Sequence, residues 1–255
     1  MKRTPLYQRI ADDLRASIDA GDLVPGMPLP PARELMARYA TSKSTVENAL
    51  GLLRAEGLIE SQQGRDTRVR RRDPVRRISS ERYRVDIQPQ ETPQTSFTAE
   101  RGLAWQDYQL DRVYTWIEAD ARLAELFGVE PGTRVLERRF VFYDNGRPSQ
   151  MSRPCLLASD VEGTPVADPD REPWPGGTFA QLRSIGIVVD DVTESVSARM
   201  PTKEEADTLN IGKGVPVFAI VRRLLAQGRV VEVADPIVIP ADQVILDYRI
   251  RLGGT

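Results

Sequence analysis

Two groups of side chains in this sequence have the types and spacing to do chemistry. The first is Lys43, Ser44, Thr45, Glu47 and Asn48, short or flexible donors and acceptors at the start of an amphipathic segment. Groups of this kind reach base edges and phosphates when the helix that carries them enters a DNA groove. The second group is dispersed: Ser96 and Thr98 around Phe97, then Arg139, then Glu232. Hydroxyls and free backbone N–H groups at a helix start suit an anion, and an arginine can pair with the same anion. A carboxylate such as Glu232 would accept from ligand hydroxyls. The same residues also have plainer uses: a helix cap at Ser96, a surface arginine and a strand-exposed glutamate.

What the chain lacks narrows the chemistry further. Histidine is absent and Cys155 is the single cysteine. That excludes a disulfide, a zinc site of Cys and His, and any imidazole-based base or triad. No metal and no cofactor is expected; carboxylate, lysine or tyrosine chemistry stays open. With 40% hydrophobic residues and no apolar run near the ~18 residues of a membrane span, no membrane partner is expected. Met1-Lys2-Arg3-Thr4-Pro5 leads into an amphipathic stretch without the pattern of a secretory leader, so the expected location is cytoplasmic. Charge is polarised: residues 1–77 hold 15 Lys and Arg against 10 Asp and Glu, while the remainder is acidic. A basic head on an acidic body suits a protein that offers one end to a polyanion.

The elements that must position the first group read clearly. Leu6, Ile10, Leu14 and Ile18 recur at the spacing of one buried helical face, and Gly21 ends that helix. Four prolines and a glycine between Asp22 and Pro31 demand a loop, with Pro31 placed to start the next helix. Its inner face is Leu35, Met36 and Tyr39; a short Ala40-Thr41-Ser42 turn follows, then a third helix with Val46, Ala49, Leu50 and Leu53 inward, closed at Gly57. Leu58 to Val69 alternates as a hairpin around Gly64. Helix, tight turn, helix and hairpin is the geometry that lays one helix in the major groove. The run Arg70-Arg71-Arg72 and a Gln, Pro, Thr and Ser-rich stretch to about residue 94 read as linker.

The second half alternates strand-like runs with short helices and repeats itself. Gly132 and Gly214, Gly146 and Gly228, and Gln150 and Glu232 share an offset of 82 residues, and helices expected at Ala124–Val129 and Ala206–Ile211 match as well. Each copy reads as helix, strand, hairpin turn, strand, and two copies would make one mixed sheet with helices on it. Gln150 and Glu232, at equivalent places, would face one cavity.

At these positions the chain resembles the GntR regulators. Pro5-Leu6-Tyr7, Gly21 to Gly26, Leu29-Pro30, Arg33-Glu34-Leu35, Ser44-Thr45-Val46 with Ala49-Leu50, and Glu56-Gly57-Leu58 fall at that family's spacing over residues 5–69. The resemblance implies DNA contacts from Arg33, Lys43, Ser44 and Thr45, and from the wing tip at Gln63 and Gly64; Asn48, on the same exposed helix face, and Arg65, as a phosphate partner, are expected contacts from their own chemistry. Glu47 stands where the family usually has an arginine; it would accept from a cytosine amino group or complete a capping box with Ser44. Farther on, Thr95-Ser96-Phe97-Thr98, Leu126 to Gly132, Arg139, Gly146-Arg147-Pro148 and Val231 to Ala234 resemble the UTRA effector domain of the HutC branch, over residues 79–250. That resemblance implies a fold similar to chorismate lyase, a small-molecule pocket touching Ser96, Phe97, Thr98, Arg139 and Glu232, and a dimer. Val141 and Val238 stand where the branch often carries an arginine and a tyrosine, which leaves the class of effector open.

The expected fold class is therefore α+β, an N-terminal winged helix-turn-helix domain plus a C-terminal mixed α/β UTRA domain. The expected boundaries are 1–70 for the head, 71–94 for a linker and 95–255 for the effector-binding and dimerisation domain. The expected function is a DNA-binding transcription regulator, a repressor and not an enzyme, that binds a pseudo-palindromic operator as a homodimer and responds to a small-molecule effector. The alternatives are a chorismate-lyase-like enzyme fused to a DNA-binding head, and a ligand-independent plasmid-maintenance protein.

Overall fold

A computed structural model describes residues 4–60, 66–70, 74–78, 82–84 and 92–248. The chain divides into two compact units: Met1–Asp73 with Met200–Pro216, and Pro74–Arg199 with Val217–Thr255.

The first unit contains α1 (Leu6–Asp19), α2 (Ala32–Tyr39), α3 (Lys43–Ala55), and the short strands β1 (Ile59–Glu60) and β2 (Arg68–Val69). The helices form where the apolar spacing placed them, and their inward faces meet in one core. Ile10, Ala11 and Leu14 of α1 pack with Leu35 of α2, with Val46, Ala49 and Leu53 of α3, and with Ile59 and Val69 of the wing base. The turn between α2 and α3 is made by Ala40, a non-glycine residue in the left-handed conformation at φ 46°. β1 and β2 pair antiparallel, Ile59 opposite Val69; the expected hairpin tip lies outside the described residues. A further helix, Lys203–Thr208, belongs to this unit. Arg15 of α1 bonds Glu56, the residue that caps α3, at 2.8 and 3.0 Å, which ties the two helices at the surface.

The second unit is built on six strands: β4 (Gln109–Glu118), β5 (Arg134–Asp144), β6 (Arg147–Leu157), β7 (Asp191–Arg199), β8 (Val217–Ala226) and β9 (Arg229–Pro240). Their order is β4-β5-β6-β9-β8-β7. Every neighbouring pair in this sheet is antiparallel, so the expected mixed sheet is corrected to an antiparallel one. The reason is local. Asn145 and Gly146, and likewise Gln227 and Gly228, all have positive φ, the signature of two-residue turns that make tight antiparallel hairpins. The repeat is thus real, β4-β5-β6 and β7-β8-β9 meeting along their last strands. Its helices begin three residues earlier than expected, at Ala121 and Lys203, because Asp120 and Thr202 cap them.

Shorter helices α4 (Ser96–Arg101), α5 (Ala121–Phe127), α6 (Ala158–Val161) and α7 (Gly177–Ser184) accompany the sheet. Alternation along β5 separates its faces. Val135 packs with Phe127 of α5 on one side, while Leu136 packs with Phe179 and Leu182 of α7 on the other. The stretch read as linker is not free chain throughout. β3 (Val75–Ile78) pairs in parallel with β10 (Val244–Asp247). Residues 82–84 form a helical turn whose Arg82 is buried. Polar composition suggested linker; ion pairs to distant residues bury it instead, as shown below.

Candidate functional site

One candidate surface is the exposed start of α3. Ser42, extended at φ −80°, begins the helix, and its hydroxyl lies 3.0 and 3.1 Å from those of Ser44 and Thr45. Lys43, Ser44, Glu47 and Asn48 are exposed and Thr45 is half-buried, while Val46, Ala49 and Leu50 hold the opposite face in the core. This is the division a reading helix needs: one face fixed by packing, the other offering polar side chains. Lys43 Nζ stands 3.5 Å from Glu47 Oε1. Glu47 therefore braces Lys43 across one helical turn, and the capping box expected with Ser44 is corrected, because the cap is Ser42.

Arg33 on the first turn of α2 is exposed and has no hydrogen-bond or ion-pair partner among the described residues. Arg68 donates to the Gly26 carbonyl at 3.1 Å, which fastens the wing base to the preceding loop. Gln63, Gly64 and Arg65, the expected wing-tip contacts, lie outside the described residues, as do Arg71 and Arg72.

The second candidate is a cavity of about 90 Å³ in the six-stranded unit. Four of the chain's six phenylalanines line it, Phe97, Phe140, Phe142 and Phe179, with Tyr108 and Trp174 beside them. Its polar wall includes Arg82, Ser96, Gln150, Ser152, Glu172, Thr178 and Arg222. Gln150 and Ser152 are each more than nine-tenths buried, and their side chains have no partner among the described residues. A buried amide and hydroxyl without protein partners are satisfied by water or by a ligand. Gly176 and Gly177, both at positive φ, turn the chain so that the first turn of α7 borders the cavity, with no side chain capping it. The Gly177 N–H donates to the Trp174 carbonyl at 2.9 Å, which leaves the N–H groups of Thr178 and Phe179 open to an acceptor.

Behind this wall lies an ionic triad. Arg138 and Glu232 are completely buried and 2.9 Å apart, and Arg222 reaches the other carboxylate oxygen at 2.5 Å. Arg138 also donates to Gln181 at 2.7 Å and Thr178 at 3.1 Å. Two guanidiniums share this one carboxylate, and Glu172 in the cavity wall brings a second carboxylate near them. Burial works against the charge on Arg222, but Glu232 outweighs it and holds the group more firmly protonated than usual. Glu172 accepts from Tyr114 Oη, Trp174 N and Gln181 Nε2 at 3.0, 2.9 and 2.7 Å. Burial pushes the Tyr114 hydroxyl up to about 12, so it stays a donor at neutral pH.

The expected effector residues are distributed unevenly around this cavity. Ser96 and Phe97 line it. Thr98 is buried in a reciprocal capping box with Thr95, the residue that starts α4 in place of Ser96. Arg139 points away: it is half exposed and pairs at 2.6 Å with Glu137, which Arg153 also holds at 2.8 Å. Strand alternation is the reason, since Arg138, Phe140 and Phe142 take the cavity face and Arg139 takes the other. Glu232 does not touch the cavity; it lies one layer deeper and positions Arg222.

Sequence reasoning missed Arg82, Arg138, Arg222 and the aromatic wall apart from Phe97. Parity along β5 was the available signal for Arg138, Phe140 and Phe142. Arg82 comes from the stretch read as linker. It pairs with Glu100 at 2.7 and 3.0 Å and donates to Ser96 at 3.1 Å. Next to it, Tyr83 and Arg77 both bond Glu194. Among the described residues, no helix is long and apolar enough to cross a membrane.

Comparison with known proteins follows the same division. The model for bacterial regulatory proteins of the gntR family matches residues 6–69, and the UTRA domain model matches residues 113–242. An uncharacterized HTH-type transcriptional regulator of Streptomyces coelicolor is 30% identical over 91% of this chain and 88% of its own length. The mannosyl-D-glycerate transport and metabolism system repressor MngR of Escherichia coli is 28% identical over 91% and 90%. A solved structure of a GntR-family transcriptional regulator is 31% identical with a TM-score of 0.59, covering 98% of this chain and 99% of that one.

Proposed function

Because the chain belongs to the GntR family of bacterial regulators and joins that family's DNA-binding head to a UTRA effector domain, we propose that it is a repressor acting as a homodimer on a pseudo-palindromic operator. The observation that carries this reading is the exposed start of α3, where Lys43, Ser44, Thr45 and Asn48 face outward from a helix fixed by its other side. Each head places α3 in the major groove, Arg33 and Lys43 contact phosphates or bases, and the wing tip at Gln63, Gly64 and Arg65 follows the adjacent backbone. Repression fits because occupying a promoter requires no further contacts, and a relative across nearly the whole chain is named a repressor.

The effector occupies the cavity of the second unit. Its chemistry suits a small molecule with a flat apolar body, for the aromatic wall, and an acidic group, for the Arg222 guanidinium and the Thr178 and Phe179 N–H groups at the start of α7. Gln150, Ser152 and Ser96 supply hydrogen bonds that orient it. The site binds without turnover. The chain has no histidine, and burial pushes the Cys155 thiol up to about 12, away from nucleophilic reactivity. Binding in the cavity and binding to the operator are coupled, and linkage makes the coupling reciprocal. The protein works in the cytoplasm.

The test is selection of duplexes from a random pool, followed by footprinting of the wild type and of Arg33→Ala and Lys43→Ala. Specific protection that disappears in both variants, with the fold unchanged, is expected. Unchanged footprints in both overturn the assigned groove geometry. A thermal-shift panel of small acids then tests the cavity, since a ligand of the native form raises the melting temperature. Turnover of any binder by the protein would favour the enzyme alternative.

A further inference from the structure

The helix Lys203–Thr208 and the loop after it occupy, in the second half of the repeat, the place that α5 and its loop occupy in the first. The two copies nevertheless do different work. In the first, Gly132 has φ 85° and a Cβ there would meet nothing, so the turn alone asks for glycine. In the second, neither Gly212 nor its successor Gly214 is among the positive-φ residues, so backbone conformation does not ask for glycine. Close approach does. A Cβ on Gly212 would collide with the Arg54 carbonyl oxygen, and one on Gly214 with that of Ala55. From the other side, a Cβ on Gly57 would collide with Val215. The Gly214 N–H donates to the Ala55 carbonyl at 2.8 Å, satisfying one of the carbonyls that the end of α3 leaves open. Ala206, Leu209, Ile211 and Val215 are buried.

We propose that Met200–Pro216 is a positioning element of the DNA-binding unit. It locks backbone to backbone onto the last turn of α3, and its covalent ends, Arg199 of β7 and Val217 of β8, belong to the effector sheet. Displacement of those strand ends therefore acts on the reading helix directly, in addition to whatever passes through residues 71–94. The lock sits about 18 Å along the helix from Lys43, which leaves the outward residues of the first turns free for DNA. The inference rests on the regulatory reading above for its consequence, and on the glycine contacts for the lock itself.

The experiment uses the full chain with Gly212→Ala and Gly214→Ala, and Gly51→Ala as control, since a Cβ at Gly51 on α3 would meet nothing. Binding is measured to the two-half-site duplex selected by the wild type and to a duplex carrying one half-site. Freed heads lose the fixed geometry that makes the second half-site an intramolecular event. The lock variants should therefore lose at least about tenfold on the full site and stay within about twofold on the half-site, with the control unchanged on both. Full-site affinity equal to wild type in both lock variants overturns the proposal. Amide exchange of the wild type is the second reading: the Gly214 amide should be as protected as those of α3. Exchange at the rate of an open loop overturns the lock, and this result decides the matter if the alanine variants fail to fold. Should the wild type select no duplex, the regulatory reading fails, while the exchange result still tests the lock.

Discussion

Replacing Glu232 with alanine removes the one carboxylate shared by Arg138 and Arg222. Arg138 and Glu232 are both inaccessible and 2.9 Å apart, and Arg222 is nearly so. Arg138 would keep its bonds to Gln181 and Thr178, whereas Arg222 would lose its carboxylate partner. Leaving buried charge uncompensated costs about 3–5 kcal/mol. With a urea dependence of about 2 kcal/mol per molar, the unfolding midpoint falls by roughly 2 M. Fluorescence reads this selectively, because Trp105, Trp116 and Trp174 all belong to the second unit. Replacing Arg138, Arg222 and Glu232 together with methionine should restore most of the loss, since an apolar triad leaves no unpaired charge. A midpoint shift under about 0.5 M for the alanine variant, or a triple variant less stable than the single one, would refute the assignment of Glu232 as an internal support rather than a ligand contact.

Ala40→Gly should stabilise the head by about 1 kcal/mol, because relief of about 1–2 kcal/mol of left-handed strain exceeds the added chain entropy of glycine, about 0.5–1 kcal/mol; thermal unfolding by circular dichroism checks it. Acidification should destabilise the second unit. Burial pushes Glu137 and Glu194 up, but Arg139 and Arg153 for the former, and Arg77 and Tyr83 for the latter, hold both below the usual carboxylate range. Their contribution is complete above about pH 4.3, the ordinary glutamate value, and fades as pH falls through the lower folded values, so a melting temperature constant down to about pH 3 would contradict it. Cys155 should resist alkylation at neutral pH until the second unit unfolds, and rapid labelling of the native protein would contradict its burial.

The head was legible in the sequence because each of its helices buries one face at helical spacing, and the same residues that set the period make the core. Leu35, Val46, Ala49 and Leu53 needed no distant information to be placed inside. The hairpins of the second unit were legible for a similar reason: Asn145-Gly146 and Gln227-Gly228 are local turn chemistry. The cavity was not, because its residues are decided across strands. A displacement of one residue along β5 exchanges Arg139 for Arg138 and moves the side chain to the other face. Glu232 reads as a strand-exposed acid until two arginines from other strands bury it. Arg82 sits in a polar, linker-like composition, and only its pairing with Glu100 and Ser96 draws it into the wall. In the sequence Gly214 is visible only as the repeat partner of Gly132, whereas contact with the end of α3 is what requires it and Gly212.

The most direct test of the account is a footprint of the full-length protein on duplexes it selects for itself. The expected result is an inverted repeat with half-sites roughly 10 base pairs apart, one dimer per duplex, and protection that a small acid bound in the cavity weakens. Equal affinity for selected and random duplexes would contradict it.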